Sequence, residues 1–189
     1  LYEGVTEYNS NLVQVQNGLY TPLDFIDGLR EKFFEHDQYD SNVPLTVASS
    51  YALNYYKDQY LNFYQGGALA AMALDLYLIE ISGGTMQLAD LLRNLAAVFP
   101  ADTFFNDADL FQIMGSLSYP QVEEFMVRHV KASEPFPWER LFANVGLLYR
   151  QESETMGWSF GCDDISYNLE NNRFMVSSEE GIDDFGKAL

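Results

Sequence analysis

Glu3 and Glu7 lie four residues apart, so on a helix both carboxylates face one way. A pair of that kind can hold a metal ion or exchange a proton. It is also what a helix dipole favours in a first turn with no further role, and spacing alone assigns the pair to that plainer cause. The two histidines are open to the same question. His36 stands in Glu35-His36-Asp37 with Asp40 nearby, which is metal-ligand chemistry without a ligand spacing, and a solvated loop accounts for it. His129 falls on an apolar helical face, the setting of a hydrogen-bonded core histidine. Neither has a second histidine four residues away, so the chain contains no complete zinc motif. Cys162 is followed by Asp163 and Asp164, whose charges raise a thiol's pKa and leave it unreactive. There is no glycine-rich phosphate loop. Gly66-Gly67 and Gly83-Gly84 suit close packing and helix termination.

The elements that would carry these residues are mostly helices. Val5, Tyr8, Leu12, Val13 and Val15 form a helical stripe over residues 3–19, with Gly18 as the stop. Thr21, Pro22 and Asp24 supply cap, first-turn proline and capping-box acid for a second helix with a stripe through Phe25, Leu29, Phe33 and Phe34. Residues 37–50 are polar, carry Pro44 and are expected to form a loop, followed by an aromatic element over 51–60. Residues 61–81 are apolar on nearly every side, as in a helix buried among others, and Gly83-Gly84 ends it. Thr85 is expected to cap a helix to Leu95, Asn106 or Asp107 to start one to Met114, and Pro120 to open one to Val130 whose inner face is Val122, Phe125, Met126 and His129. After Pro135 and Pro137 comes a short helix over 138–145. Residues 147–151, 158–160 and 173–176, separated by Gly, Asn and Asp, follow strand grammar. The expected division is a helical domain over 1–146 and the opening of a β-rich module over 147–189.

Composition narrows the partners. The 189 residues are 48% hydrophobic and 20% charged, a globular balance. Ten basic against 28 acidic residues give a net charge of −18, which repels phosphate backbones and anionic headgroups, so nucleic acid and membrane surface are excluded as expected partners. The longest apolar stretch is broken by Asp75 and Glu80 and is too short to span a bilayer. A single cysteine forms no internal bridge and leaves cytoplasm and cell envelope equally open. The chain starts on Leu1 and stops on Phe185-Gly186-Lys187-Ala188-Leu189, which reads as a segment of something longer.

Several stretches, taken in order, resemble one family. Glu3-Gly4-Val5-Thr6-Glu7-Tyr8 is similar to the Glu-Gly-Phe-Thr-Glu-Tyr segment of the glycyl aminopeptidases, a family of zinc metallopeptidases. Tyr64-Gln65-Gly66-Gly67-Ala68-Leu69 with Leu74-Asp75-Leu76 resembles that family's Tyr-x-Lys-Gly-Ala-Leu helix and its Leu-Asp-Leu, and Val47-Ala48-Ser49 and Ser82-Gly83-Gly84 stand where the family has related stretches. The resemblance implies a thermolysin-like helical subdomain followed by a partial PDZ-like segment. It also implies a parent that uses zinc to remove small, glycine-like N-terminal residues from peptide substrates. By that resemblance Glu3 is the third zinc ligand beside the two histidines of a His-Glu-x-x-His helix, and Tyr64 donates to the oxyanion of the reacting carbonyl. The family's Lys is Gly66 here, and the histidine pair is expected upstream of Leu1. The segment alone is therefore expected to be inactive and to hold no zinc. The alternative is a peptide-binding or protein-binding module derived from such a peptidase without hydrolysis.

Overall fold

The computed structural model describes residues 2–151 together with Ile165–Asn168 and Arg173–Val176. The chain divides into two compact units, Leu1–Tyr149 and Arg150–Leu189.

The first unit is mainly helical, with eight α-helices among the described residues. Helix α1 (Tyr2–Gln16) ends where Gly18 takes φ +70° and the Leu19 N–H returns to the Gln14 carbonyl at 2.9 Å. Val13 of the expected stripe points outward, half exposed. Helix α2 (Pro22–His36) starts on the expected capping box: the Thr21 hydroxyl accepts from the Asp24 N–H, and the Asp24 carboxylate accepts from the Thr21 N–H. Its inner face is Phe25, Leu29 and Phe33; Phe34, one position round, is 70% exposed and does not belong to the stripe. The expected loop over 37–50 contains a six-residue helix, α3 (Leu45–Ser50), because Pro44 sets its first turn and Ala48 is buried. Residues 51–60 make turns and a single 3₁₀ turn at Lys57–Gln59.

Helix α4 (Asn62–Ser82) is the axis of the unit. Leu69, Leu74 and Leu78 are fully buried, each removing roughly 1.5–3 kcal/mol of unfavourable hydration. Helices α1, α2 and α3 pack on it, as do α5 (Leu88–Val98), α7 (Gln121–Met126) and α8 (Trp138–Ala143). Gly83 ends α4 in the left-handed region at φ +63°. The start of α5 differs from expectation. Thr85 donates back to the Ser82 carbonyl, so its hydroxyl is used in the turn, and the helix begins after Gln87, whose N–H goes to Asp90. Helix α6 (Leu110–Ser116) follows a 3₁₀ turn capped by Asn106, and packs on α7. A π-helical turn, Val127–Lys131, continues α7. It carries His129 into the core between Phe125 and Phe136, with Nδ1 2.8 Å from the Glu134 carbonyl.

Residues 147–150 are not the expected strand. Gly146 at φ +78° turns the chain after α8, the Leu147 N–H returns to the Phe142 carbonyl, and Tyr149 then stacks on Phe142 with centroids 5.7 Å apart. The ring contact replaces strand pairing. In the second unit, β1 (Ile165–Asn168) and β2 (Arg173–Val176) pair antiparallel with Ile165 opposite Val176 and Asn168 opposite Arg173. Residues 158–160 and Cys162 lie outside the described residues.

Candidate functional site

Two glycines decide how α1 meets α4. A Cβ on Gly4 would lie 2.1 Å from the Gly67 carbonyl carbon and 2.4 Å from its Cα, so the helices cross backbone to backbone. That crossing fixes the neighbours of both residues. Glu3 precedes Gly4 on α1, and Tyr64 lies one turn before Gly67 on α4, so the contact brings this carboxylate and this phenol together at the crossing's edge. Both are half-buried. The Tyr64 pKa is raised, first by burial, then by the negative charge of Glu3, then by Tyr60, whose ring centroid is 6.3 Å away. The phenol therefore keeps its proton at neutral pH and is available as a donor. No described basic side chain forms an ion pair with Glu3.

The rest of the motif serves the fold. The Tyr8 hydroxyl donates to Asp75 Oδ2 at 2.6 Å, and the Leu88 N–H donates to Asp75 Oδ1 at 2.6 Å. Asp75 is 5% exposed, so one buried carboxylate joins α1, α4 and the start of α5. Burial, followed by the Asp75 charge, pushes the Tyr8 phenol far above the ordinary tyrosine range. Glu7 does not share the role of Glu3. Its Oε1 lies 2.6 Å from Lys32 Nζ and 3.1 Å from the Asn11 amide, and Lys32 also reaches Gln65 Oε1 at 3.3 Å. The hydrogen bond from Lys32 is the main cause holding the Glu7 carboxyl below its usual range.

His36 is not in a solvated loop. It closes α2 and docks on α4, with Nδ1 2.7 Å from Asn62 Oδ1. The Asn62 amide donates to Gln59 Oε1 at 3.4 Å, which turns its oxygen to His36 and assigns the imidazole proton to Nδ1. The ring lies against Gly66. A Cβ there would stand 2.6 Å from Asn62 Oδ1 and 2.7 Å from His36 Nδ1, so no side chain fits at position 66 while His36 is docked.

Beside Tyr64 a cavity of about 560 Å³ opens between α1, α4 and the C-terminal end of α2. Leu61 just before α4 forms one wall with Tyr64 and Gln65, Glu7 forms the α1 edge, and Glu35 of α2 with Tyr39 just beyond it forms the third. Sequence reading missed it because its members come from three elements. Leu61, Tyr64 and Gln65 at i, i+3 and i+4 were the one local signal, since that spacing puts all three on one helical face.

Among the described residues no cluster of three or more His, Cys, Asp or Glu side chains is placed to hold a metal. Among the described residues, His36 is engaged with Asn62 and His129 with the Glu134 carbonyl. No protein-family model matches the chain, nor does any curated protein or solved structure. Among the described residues no helix is long and apolar enough to cross a membrane.

Proposed function

We propose that this chain is the helical part of the peptidase unit of a zinc aminopeptidase similar to the glycyl aminopeptidases, acting on small N-terminal residues of peptides. The observation that carries the reading is the pairing of Glu3 with Tyr64 across the Gly4–Gly67 contact. Glu3 is the carboxylate ligand; the two histidine ligands belong to a His-Glu-x-x-His helix outside this chain. Zinc, when bound, supplies an acidified water and polarises the scissile carbonyl. Tyr64 stays protonated beside it and donates to the carbonyl oxygen as negative charge develops there. By the same resemblance, the segment after the helices, which carries the antiparallel pair of β1 and β2, is the opening of a PDZ-like module.

One observation favours a second reading, a binding module without hydrolysis. The place of the family's Lys is taken by Gly66 with His36 and Asn62 against it, so the missing charge goes with a repacked surface. Hydrolysis of a glycyl arylamide by the polypeptide that carries this chain with its upstream residues separates the two. Activity lost to a zinc chelator, restored by zinc and abolished by Glu3→Gln is the expected result. No hydrolysis, or hydrolysis indifferent to chelator, overturns the zinc reading.

A further inference from the structure

The cavity beside Tyr64 combines apolar, amide and acidic walls with an unbalanced charge. Tyr39, Tyr64 and Leu61 supply flat and apolar surface, while Glu7 and Glu35 supply the carboxylates. Lys32 neutralises Glu7 at 2.6 Å, yet no described basic residue forms an ion pair with Glu35, and no Lys or Arg lines the cavity. Glu35 also lies in the last turn of α2, where the helix dipole adds negative potential of the same sign. The recess therefore offers one uncompensated negative charge beside aromatic and aliphatic surface, with room for a side chain and the backbone that carries it. A cation on a long apolar stem satisfies each of these features at once, with its stem on Leu61 and its head between Glu35 and the ring faces.

We propose that this cavity is a subsite for the side chain of a lysine or arginine in a peptide, with Glu35 as the charge that selects it. The proposal rests on the zinc-aminopeptidase reading for its orientation. With Tyr64 at the scissile carbonyl and a small residue on its amino side, the side chain entering the cavity belongs to the residue that follows the scissile bond.

Binding to this chain tests the subsite without any catalysis. N-acetyl-arginine amide, followed by the amide resonances of Glu35 and Gln65, is expected to bind about fivefold more tightly than N-acetyl-citrulline amide, its neutral isostere. Glu35→Gln removes the difference, and Glu35→Lys reverses it. Glu31→Lys, an equal change of net charge at an exposed position one turn earlier on α2, leaves it in place. Equal binding of the two amides, or a difference that Glu31→Lys abolishes as fully as Glu35→Lys, overturns the proposal. Arginine binding at Glu35 by a polypeptide without chelator-sensitive hydrolysis upholds the subsite and contradicts the zinc reading. Chelator-sensitive hydrolysis that treats glycyl-arginine and glycyl-citrulline substrates alike overturns the subsite and leaves the zinc reading standing.

Discussion

Helix α1 presents three polar side chains to its neighbours within two turns, and they meet three different fates. At one end of its crossing with α4, Glu3 faces the Tyr64 phenol at an open edge and has no described basic partner. At the other, Tyr8 donates to a buried Asp75 that also holds the Leu88 N–H. Between them Glu7 is bound by Lys32. The ends share chemistry, a carboxylate beside a phenol, and differ in what surrounds it. Where the carboxylate is buried and doubly hydrogen-bonded, the pair holds helices together. Where it is half-exposed and otherwise free, the pair is available to a ligand. Residue type alone does not separate a structural pair from a reactive one; the completeness of the hydrogen bonding does.

Breaking the crossing removes both ends at once. Gly4→Ala places a methyl group 2.1 Å from the Gly67 backbone and cannot be accommodated without parting the helices; the expected loss is several kcal/mol in urea unfolding, or failure to fold. Gly67→Ala is milder, because its Cβ would meet Gly4 at 3.0 Å. Asp75→Ala strands the Tyr8 hydroxyl and the Leu88 N–H and is expected to cost about 3 kcal/mol in the same measurement. Tyr8→Phe, which leaves the Leu88 bond intact, is expected to cost about half as much.

The middle pair is sensitive to pH. The folded Glu7 pKa is depressed, so its contribution to stability is present above the unfolded pKa and is lost as pH falls through the lower folded value. The wild type should therefore lose more stability than Glu7→Gln on acidification from pH 6 to the bottom of the carboxylate range. The expected difference is on the order of 0.5–1 kcal/mol, since the pair is partly exposed. Glu3→Gln should leave unfolding unchanged, which is the smallest effect and the mark of an uncommitted side chain.

Much of the helical fold was legible because its signals are local. The Thr21-Pro22-Asp24 box, the apolar residues of 61–81 and the two glycines after α4 each report within a few residues. Helix α3 was missed because one turn after Pro44 offers no period to read. Thr85 was mistaken for a cap because Ser82, three residues back, competes for its hydroxyl. The second strand of the hairpin falls at the expected 173–176, whereas residues 147–150 stay irregular because Tyr149 finds a ring to stack on. Partner choice was the illegible part of the site. Lys32 reaches Glu7 across 25 residues, and Asp75 reaches Tyr8 across 67. Neither pairing leaves a trace in local periodicity, so spacing treats Glu3 and Glu7 alike while the structure gives Lys32 to Glu7 alone. The docking of His36 on Gly66 was hidden for the same reason.

The pairing of Glu3 with Tyr64 is tested most directly by titrating the Tyr64 ring by NMR in the wild type and in Glu3→Gln. Tyr64 is predicted to titrate above the ordinary tyrosine range in the wild type and to move down, without reaching the ordinary value, when the Glu3 charge is removed, because burial remains. A Tyr64 titration that Glu3→Gln leaves unmoved would contradict the account, since the two groups would then not share an edge.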